Sequence, residues 1–346
     1  MRAVVFAGVG AVEVTDVPEP AIVEPGDAVV RVHRAGICGS DLHFVHGKAP
    51  IDAGQVLGHE AVGVIEAVGP SVAVRSVGER VVVSFHAACG RCWYCDHGAS
   101  GLCDQTRVFG GGTFGGGLSG VQAELARVPA ADVNLLPVPP EVGDDEAVFV
   151  GDVLSTGVHA AALAQASSDD VVAVIGAGPV GLCTVQALLA GGVRTVVVVD
   201  RAAARLAVAE RSGATTVDVT ARNPEIAVGA LTDGRGADVV IDAVGHPAAF
   251  ESAQAVVRRG GRLVIVGMYA GEQVTQQLGV WWVRALEARF AGLTPVHATW
   301  RTAMAGLAEG RFDVTSLIGD RLPLHEAAAG YERFAAQTSL KVLLTP

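Results

Sequence analysis

The chain is short of aromatic residues, at 5% of 346, and short of positive charge, with 25 Lys and Arg against 36 Asp and Glu and a formal net charge of -11. No basic patch interrupts that balance, which argues against nucleic acid or an anionic membrane surface as a partner. The opening MRAVVFAGVGAVEV has neither the sustained apolar run nor the small-residue cleavage site of a signal peptide. A chain that is not exported is expected in the cytoplasm with its six cysteines reduced. Clustered, reduced cysteines suggest metal or catalysis before disulfides. Long apolar runs are also scarce. Residues 171–193 carry no charge and have the length of a bilayer span. They contain Gly176, Gly178, Pro179, Gly181, Gly191 and Gly192, however, which suits a strand, a turn and a helix rather than a membrane segment. No internal repeat or low-complexity tail is visible.

What is present is Val, Ala and Gly in a chain that is half hydrophobic, enough for two cores. Residues 1–151 read as short Val-rich strands, among them 28–32, 61–68 and 80–84, broken by Gly and Pro turns. From Asp152 strands and helices alternate, which predicts a parallel sheet with crossover helices over 152–293. Expected strands are 171–175, 196–199, 239–241, 263–266 and about 288–291, with helices at 179–190, 202–211 and 248–257. Residues 294–346 are expected to rejoin the first part and end on a strand over 340–344. The fold class is therefore α/β, a β-rich domain with a doubly wound domain inserted into it. The glycine-rich run 110–120 reads as a flexible loop, with a mobile cover over a site as the alternative.

Cys89, Cys92, Cys95 and Cys103 place four thiols within fifteen residues. Tight two-residue gaps aim successive thiolates at one point, and the longer gap closes the loop. Zinc takes four such ligands tetrahedrally, at about 2.3 Å from sulfur. Iron–sulfur clusters use related spacings. Four thiolates fill the shell and leave no position for substrate, so this site is structural. Cys183, on the expected helix 179–190, reads as packing.

Gly176-Ala-Gly178-Pro179-Val180-Gly181 follows a strand and opens a helix. Glycines there permit a tight turn, approach of a pyrophosphate and close helix–strand packing, and the helix N-terminus receives negative charge. Asp200 ends the next strand, nineteen residues on. Its carboxylate suits ribose hydroxyls and repels a 2′-phosphate, which favours NAD over NADP. Arg201 and Arg205 stand ready to meet such a phosphate and pull the other way.

Three further residues lie in distinctive settings: Cys38 in GICGSDLH, His59 in GHEAVG and Asp152 in GDVLSTG. Together with the cysteine lobe and the dinucleotide motif, in that order, they make the chain resemble the zinc-dependent medium-chain alcohol dehydrogenase family over essentially its whole length. The resemblance implies a GroES-like catalytic domain with a Rossmann domain, two zinc ions per chain and hydride transfer between NAD(H) and a small alcohol or carbonyl. It implies catalytic-zinc ligation by Cys38, His59 and Asp152, where many members have Cys in place of Asp. A carboxylate is harder than a thiolate, so that zinc would be more Lewis acidic. Glu60 would be either an approaching ligand or an outer carboxylate. Ser40 and His43 match proton-relay positions, and Asp41 the acid that orients His59. Thr156, Val244, Gly267 and Lys341 fall at cofactor positions, Lys341 facing the phosphates. Phe85 matches a substrate-pocket wall; Trp281 and Trp282 read as pocket, core or subunit-interface aromatics. The segment from 110 to 136 is similar to the formaldehyde-dehydrogenase-like branch, with polyol and threonine substrates as further options. A non-catalytic, cofactor-binding relative is the other class of reading. A homodimer or homotetramer is expected by the same resemblance.

Overall fold

The computed structural model describes residues 1–113 and 115–346. The chain divides into two compact units: 1–155 with 293–310 and 314–346, and 156–292 with 311–313. The change of unit falls at Ser155, so Asp152 belongs to the first unit and not to the second as 152–293 supposed. The helix Val153–Ala164 runs through the boundary, and a composition shift cannot mark a division inside one helix.

The first unit is built on a seven-stranded sheet ordered Asp320–Pro323, Val342–Thr345, Ala28–Ile37, Glu60–Val68, Arg80–Val83 and Leu135–Pro137, with Leu125–Val128 also paired to Ala28–Ile37. The central strand Ala28–Ile37 is longer than 28–32 because two register shifts, near Val29 and Val32, let it bend and continue. Its alternating Val residues bury against a core that includes Ile37, Ile65, Phe109, Tyr331 and Leu344. Val342 pairs with Ile37 and Leu343 with Gly36, which is how the C-terminal segment rejoins the first residues. Gly36 pairs on its other side with Glu60.

The second unit holds a six-stranded, all-parallel sheet ordered Thr215–Asp218, Thr195–Asp200, Val171–Ile175, Ala237–Asp242, Val257–Ile265 and Glu287–Phe290. The order reverses between Val171–Ile175 and Ala237–Asp242, and ligands of such sheets bind beyond the carboxyl ends at that switch. The strand Thr215–Asp218 and the helix Pro224–Ala230 carry no strong apolar period and escaped the sequence reading. The charge-free run 171–193 resolves into the strand Val171–Ile175, a turn and the helix Pro179–Ala190. Among the described residues no single helix is long and apolar enough to cross a membrane.

Of residues 110–120, Phe114 lying outside the described residues, Thr113, Gly116, Gly117 and Ser119 are exposed and the rest are buried. Gly120 N donates to Val56 O at 3.0 Å and Val121 N to Gly58 O at 3.0 Å. A Cβ on Gly110 would come within 2.7 Å of the Gly58 amide, so the glycines serve close approach to the His59 turn.

Candidate functional site

Sheet register assembles one cluster from distant sequence. Cys38 follows the central strand and caps the helix Gly39–Val45, where Asp41 accepts the Cys38 amide at 2.9 Å. His59 and Glu60 open the neighbouring strand. Asp152 follows the turn Val148–Gly151. Cys38, His59, Glu60 and Asp152 bring ligand atoms within 4.8 Å of one another. Cys38 Sγ lies 3.6 Å from Asp152 Oδ2, and His59 Nε2 lies 3.3 Å from the same oxygen. Around a tetrahedral zinc, metal–ligand distances of about 2.0–2.3 Å give ligand edges of about 3.3–3.8 Å. The spacing is that of co-ligands.

The charges agree. Burial, then Asp152 and Glu60, raises the Cys38 thiol. Burial also raises the Glu60 carboxyl, with Lys341 opposing. Burial works against a charge on His59, yet Asp41 and Asp152 outweigh it and hold the imidazole well above its ordinary value. Glu60 Oε1 is buried without a hydrogen-bond partner. A divalent cation is the charge this donor set fits. His59 Nδ1 faces Asp41 Oδ1 at 3.2 Å, which leaves Nε2 as the ligand nitrogen.

Ser40 Oγ lies 3.3 Å from His59 Nε2, beside the ligand atoms. His43, half-buried, stands three residues further along the same short helix and so on the same face. The Phe85 ring meets His59 edge-on at 6.2 Å, and the Phe85 amide donates to Gly151 O at 2.9 Å. Ser40 and Phe85 thus lie beside His59, while His43 is placed only by the helix it shares with Ser40.

Lys341 is not placed to face phosphates. It is fully buried, ion-paired with Glu60, and lies over the Phe149 ring at 5.7 Å. A phosphate-facing lysine needs an open ammonium; this one is held by strand register, since Val342 pairs with Ile37 and Gly36 with Glu60. Lys341 therefore lies beside the Cys38–His59–Glu60–Asp152 cluster, paired with Glu60.

The four lobe cysteines form a second cluster with ligand atoms again within 4.8 Å. Cys92 and Cys95 sulfurs lie 3.6 Å apart, and amides of Cys89 and Gln105 donate to Cys103 Sγ at 3.3 Å. Amides of Cys95 and Asp104 bring the Cys92 thiol down to about 6, whereas burial and its neighbour Cys92 push Cys95 up to about 12. Cys183 is buried against Gly157 and belongs to neither cluster.

In the second unit Gly176 has φ +98°, a left-handed turn, and Gly178 caps the helix Pro179–Ala190 with open space before it. Gly181 packs directly on Gly176. Val244 follows the strand across the switch and also touches Gly176. Gly267 packs on Gly245 in the same region, while Tyr269 donates to Asp242, whose other oxygen accepts the Val244 amide at 2.9 Å. Asp200 accepts the Ala177 amide of the glycine turn at 2.7 Å and Ala202 N at 2.8 Å. Arg201 is exposed and Arg205 half-buried with an unpartnered Nε. Thr156 is buried near the start of the helix Val153–Ala164. Trp281 is half-buried against the core, stacked on Phe250 at 6.1 Å; Trp282 is 83% exposed.

Sequence reasoning missed Gln122 and Tyr331, which are buried behind Asp41, and the Asp242–Tyr269 pair. A single glutamine among apolar residues carries no spacing signal.

Comparison with known proteins gives consistent matches. Residues 24–140 match the family model described as alcohol dehydrogenase GroES-like domain, and 179–309 the one described as zinc-binding dehydrogenase. The chain is 40% identical to a probable zinc-binding alcohol dehydrogenase of Mycobacterium tuberculosis, over all of this chain and 89% of that protein. The solved alcohol dehydrogenase TADH from Thermus sp. ATN1 is 42% identical with a TM-score of 0.95, covering 100% and 99% of the two chains. A putative zinc-binding dehydrogenase from Sinorhizobium meliloti 1021, bound to NADP, is 31% identical with a TM-score of 0.87, covering 100% and 99%.

Proposed function

Because the chain belongs to the zinc-binding, GroES-like alcohol dehydrogenase family and is a zinc-dependent oxidoreductase, we propose that it moves hydride between a small alcohol, aldehyde or ketone and NAD(H), with two zinc ions per chain. The observation that carries the reading is the co-ligand spacing of Cys38, His59 and Asp152. Three protein ligands leave one position open, and zinc held there polarises a bound oxygen. Ser40, beside His59 Nε2, hydrogen-bonds the substrate hydroxyl, and His43 passes its proton outward. Phe85 forms an apolar wall. The lobe zinc, with a closed thiolate shell, braces the first unit.

The glycine turn takes the pyrophosphate and Asp200 the adenosine ribose, so NAD is preferred to NADP. Val244 and Gly267 line the turn's neighbouring strand ends, and Arg201 and Arg205 frame the ribose. The chain acts in the cytoplasm as a homo-oligomer. Leu278, Trp282 and Val283 on one helix and Phe290 on the sheet's edge strand are 71–83% exposed, an apolar surface suited to a second copy.

The test is metal analysis with NAD- and NADP-linked turnover on a panel of primary and secondary alcohols, aldehydes, formaldehyde, a polyol and L-threonine. Two zinc ions per chain with NAD-linked turnover is the expected result. Protein that holds both zinc ions and turns over none of the panel overturns the catalytic reading.

A further inference from the structure

His59 is held by Asp41, but Asp41 is itself held. Its Oδ2 accepts the Cys38 amide at 2.9 Å and Gln122 Nε2 at 3.3 Å, while Oδ1 faces His59 Nδ1 at 3.2 Å. Gln122 and Asp41 are no more than 1% exposed. The Gln122 amide has a second bond, Nε2 to Gly36 O at 2.9 Å. Both partners of Nε2 are pure acceptors, a carbonyl and a carboxylate. The other end, Oε1, accepts the Tyr331 hydroxyl at 2.9 Å. Reversing the amide would set an oxygen against two acceptors and leave the Tyr331 hydroxyl proton without an acceptor among the described residues. The orientation is therefore set by the two acceptors at Nε2, and the Tyr331 hydroxyl, which can donate or accept, satisfies Oε1.

The backbone of Gln122 is tied to the same site. Its amide donates to Leu57 O at 3.0 Å, and Val121 N donates to Gly58 O at 3.0 Å. Gly58, at φ +86°, lies so close that a Cβ there would overlap the Gln122 side chain. One residue thus supports both arms of the metal cluster: the Cys38–Asp41 turn through its side chain and the His59 turn through its stem and backbone. Tyr331, on the helix Ala327–Ala335 of the C-terminal segment, donates to Oε1 and so completes the bonding of the amide and anchors it to that helix.

We propose that Gln122 and Tyr331 are positioning residues for the catalytic metal, acting in series through Asp41 on His59. Neither touches the ligand atoms. Their effect is to keep the His59 ring and the Cys38 turn fixed against thermal reorientation, and hence to slow metal release. The inference rests on the reading of Cys38, His59 and Asp152 as zinc ligands.

The test is zinc release from the holoenzyme to a chelator, with total zinc per chain followed in time. The lobe zinc is an internal control in the same chain. Tyr331→Phe keeps the ring and removes the donor; Gln122→Glu keeps the shape and sets a carboxylate against Asp41. Loss of an outer partner of a ligating histidine lowers metal affinity about 10–100-fold, so Gln122→Glu should release one zinc on the order of tenfold faster or more, and Tyr331→Phe, one bond further out, about threefold. The lobe phase should not change. If Gln122→Glu does not fold, Tyr331→Phe alone decides. Unchanged release of both ions, with only a lower melting temperature, would show an ordinary buried polar pair and overturn the proposal. Equal acceleration of both phases, a general loosening, would overturn it too. Native protein with only the lobe zinc would sink the ligand assignment instead, a distinguishable result.

Discussion

The two candidate metal clusters of the first unit differ in how far apart their residues stand in the chain. The lobe draws its four sulfurs from fifteen consecutive residues, folded by two short turns at Trp93–Asp96 and Ser100–Leu102. The mixed cluster draws on residues 38, 59, 60 and 152, and its supporting residues on 41, 122, 331 and 341. The lobe is set by local spacing, whereas the mixed cluster exists only once three strands have found their register. A closed shell of four thiolates needs little from its surroundings beyond amides aimed at sulfur. An open site must hold three unlike ligands, keep one position clear and orient a histidine, so it depends on a deep layer of second partners.

The largest effect should come from breaking the open site. Cys38→Ala is expected to reduce zinc from two ions to one per chain and to lower kcat/KM by about three orders of magnitude or more, the scale of losing a metal's several kcal/mol of charge stabilisation. Melting should change little, since the cluster's support lies in the sheet. Metal analysis beside turnover checks both halves; retained turnover removes Cys38 from the ligand set.

Breaking the lobe should reverse that pattern. Cys92→Ser is expected to lose the other zinc and about 3 kcal/mol of stability, roughly 6–12 °C in melting temperature for a unit of this size. Calorimetry with turnover per folded molecule separates the two. A variant as stable as the parent but inactive would mean that the lobe does more than brace.

Much of this was legible in sequence. The cysteine spacing, the Gly176–Gly181 turn and the strand–helix alternation are all local signals, and the helix Pro179–Ala190 starts and stops where its proline and glycines suggest. Cys38, His59 and Asp152 were recognisable only as a family pattern, since no spacing rule connects residue 38 to residue 152. Lys341 was misplaced for the same reason. Its burial against Glu60 follows from the pairing of Val342 with Ile37, a contact between the two ends of the chain. Gln122 and Tyr331 gave no signal, because a hydrogen bond between one glutamine and one tyrosine leaves no period.

Acid should separate the regions next. His86 is fully buried, bonded to Thr294 O at 3.1 Å and packed on His297 at 5.1 Å; burial brings it down to about 4. His297 is bonded to Ser100 of the lobe and to Asn134, both at 2.8 Å. The unfolded chain binds protons at these histidines near pH 6.5 and the folded chain does not, so stability is fully present above that value and is lost as pH falls towards 4. Asp152 is the acidic group that acts on His86, and it only partly offsets the burial. Between pH 7 and 5 His86 alone should cost about 2 kcal/mol. The second unit's Asp238 behaves otherwise. Burial opposes its charge, but Arg235, the Val171 amide and Arg258 outweigh it and hold the carboxyl below its usual range, so its contribution fades only beneath about pH 4. The second unit has one histidine held low by burial, His159, against His86 and His297 in the first, so hydrogen exchange at pH 5 should show the first unit loosening before the second. Uniform loss of protection would contradict that order.

The smallest effect concerns the third local motif, the dinucleotide turn. Asp200 stands opposite it and already accepts the Ala177 and Ala202 amides, which use one lone pair of each oxygen and leave the others for ribose hydroxyls. Asp200→Ala removes both the ribose acceptor and the tie to the turn, while Arg205, freed of its acidic neighbour, becomes available to a 2′-phosphate. The NAD-over-NADP ratio of kcat/KM should fall about tenfold, or 1.4 kcal/mol, with the KM for NAD rising and zinc content unchanged. Asp200→Asn sharpens the result. Its single carbonyl oxygen retains one amide bond without the charge, so it should recover the turn but not the discrimination against phosphate. If Asn restores the ratio as well, then the tie to Ala177, rather than repulsion of the phosphate, sets the cofactor preference. In that case the turn, like the open metal site, owes its selectivity to what supports it.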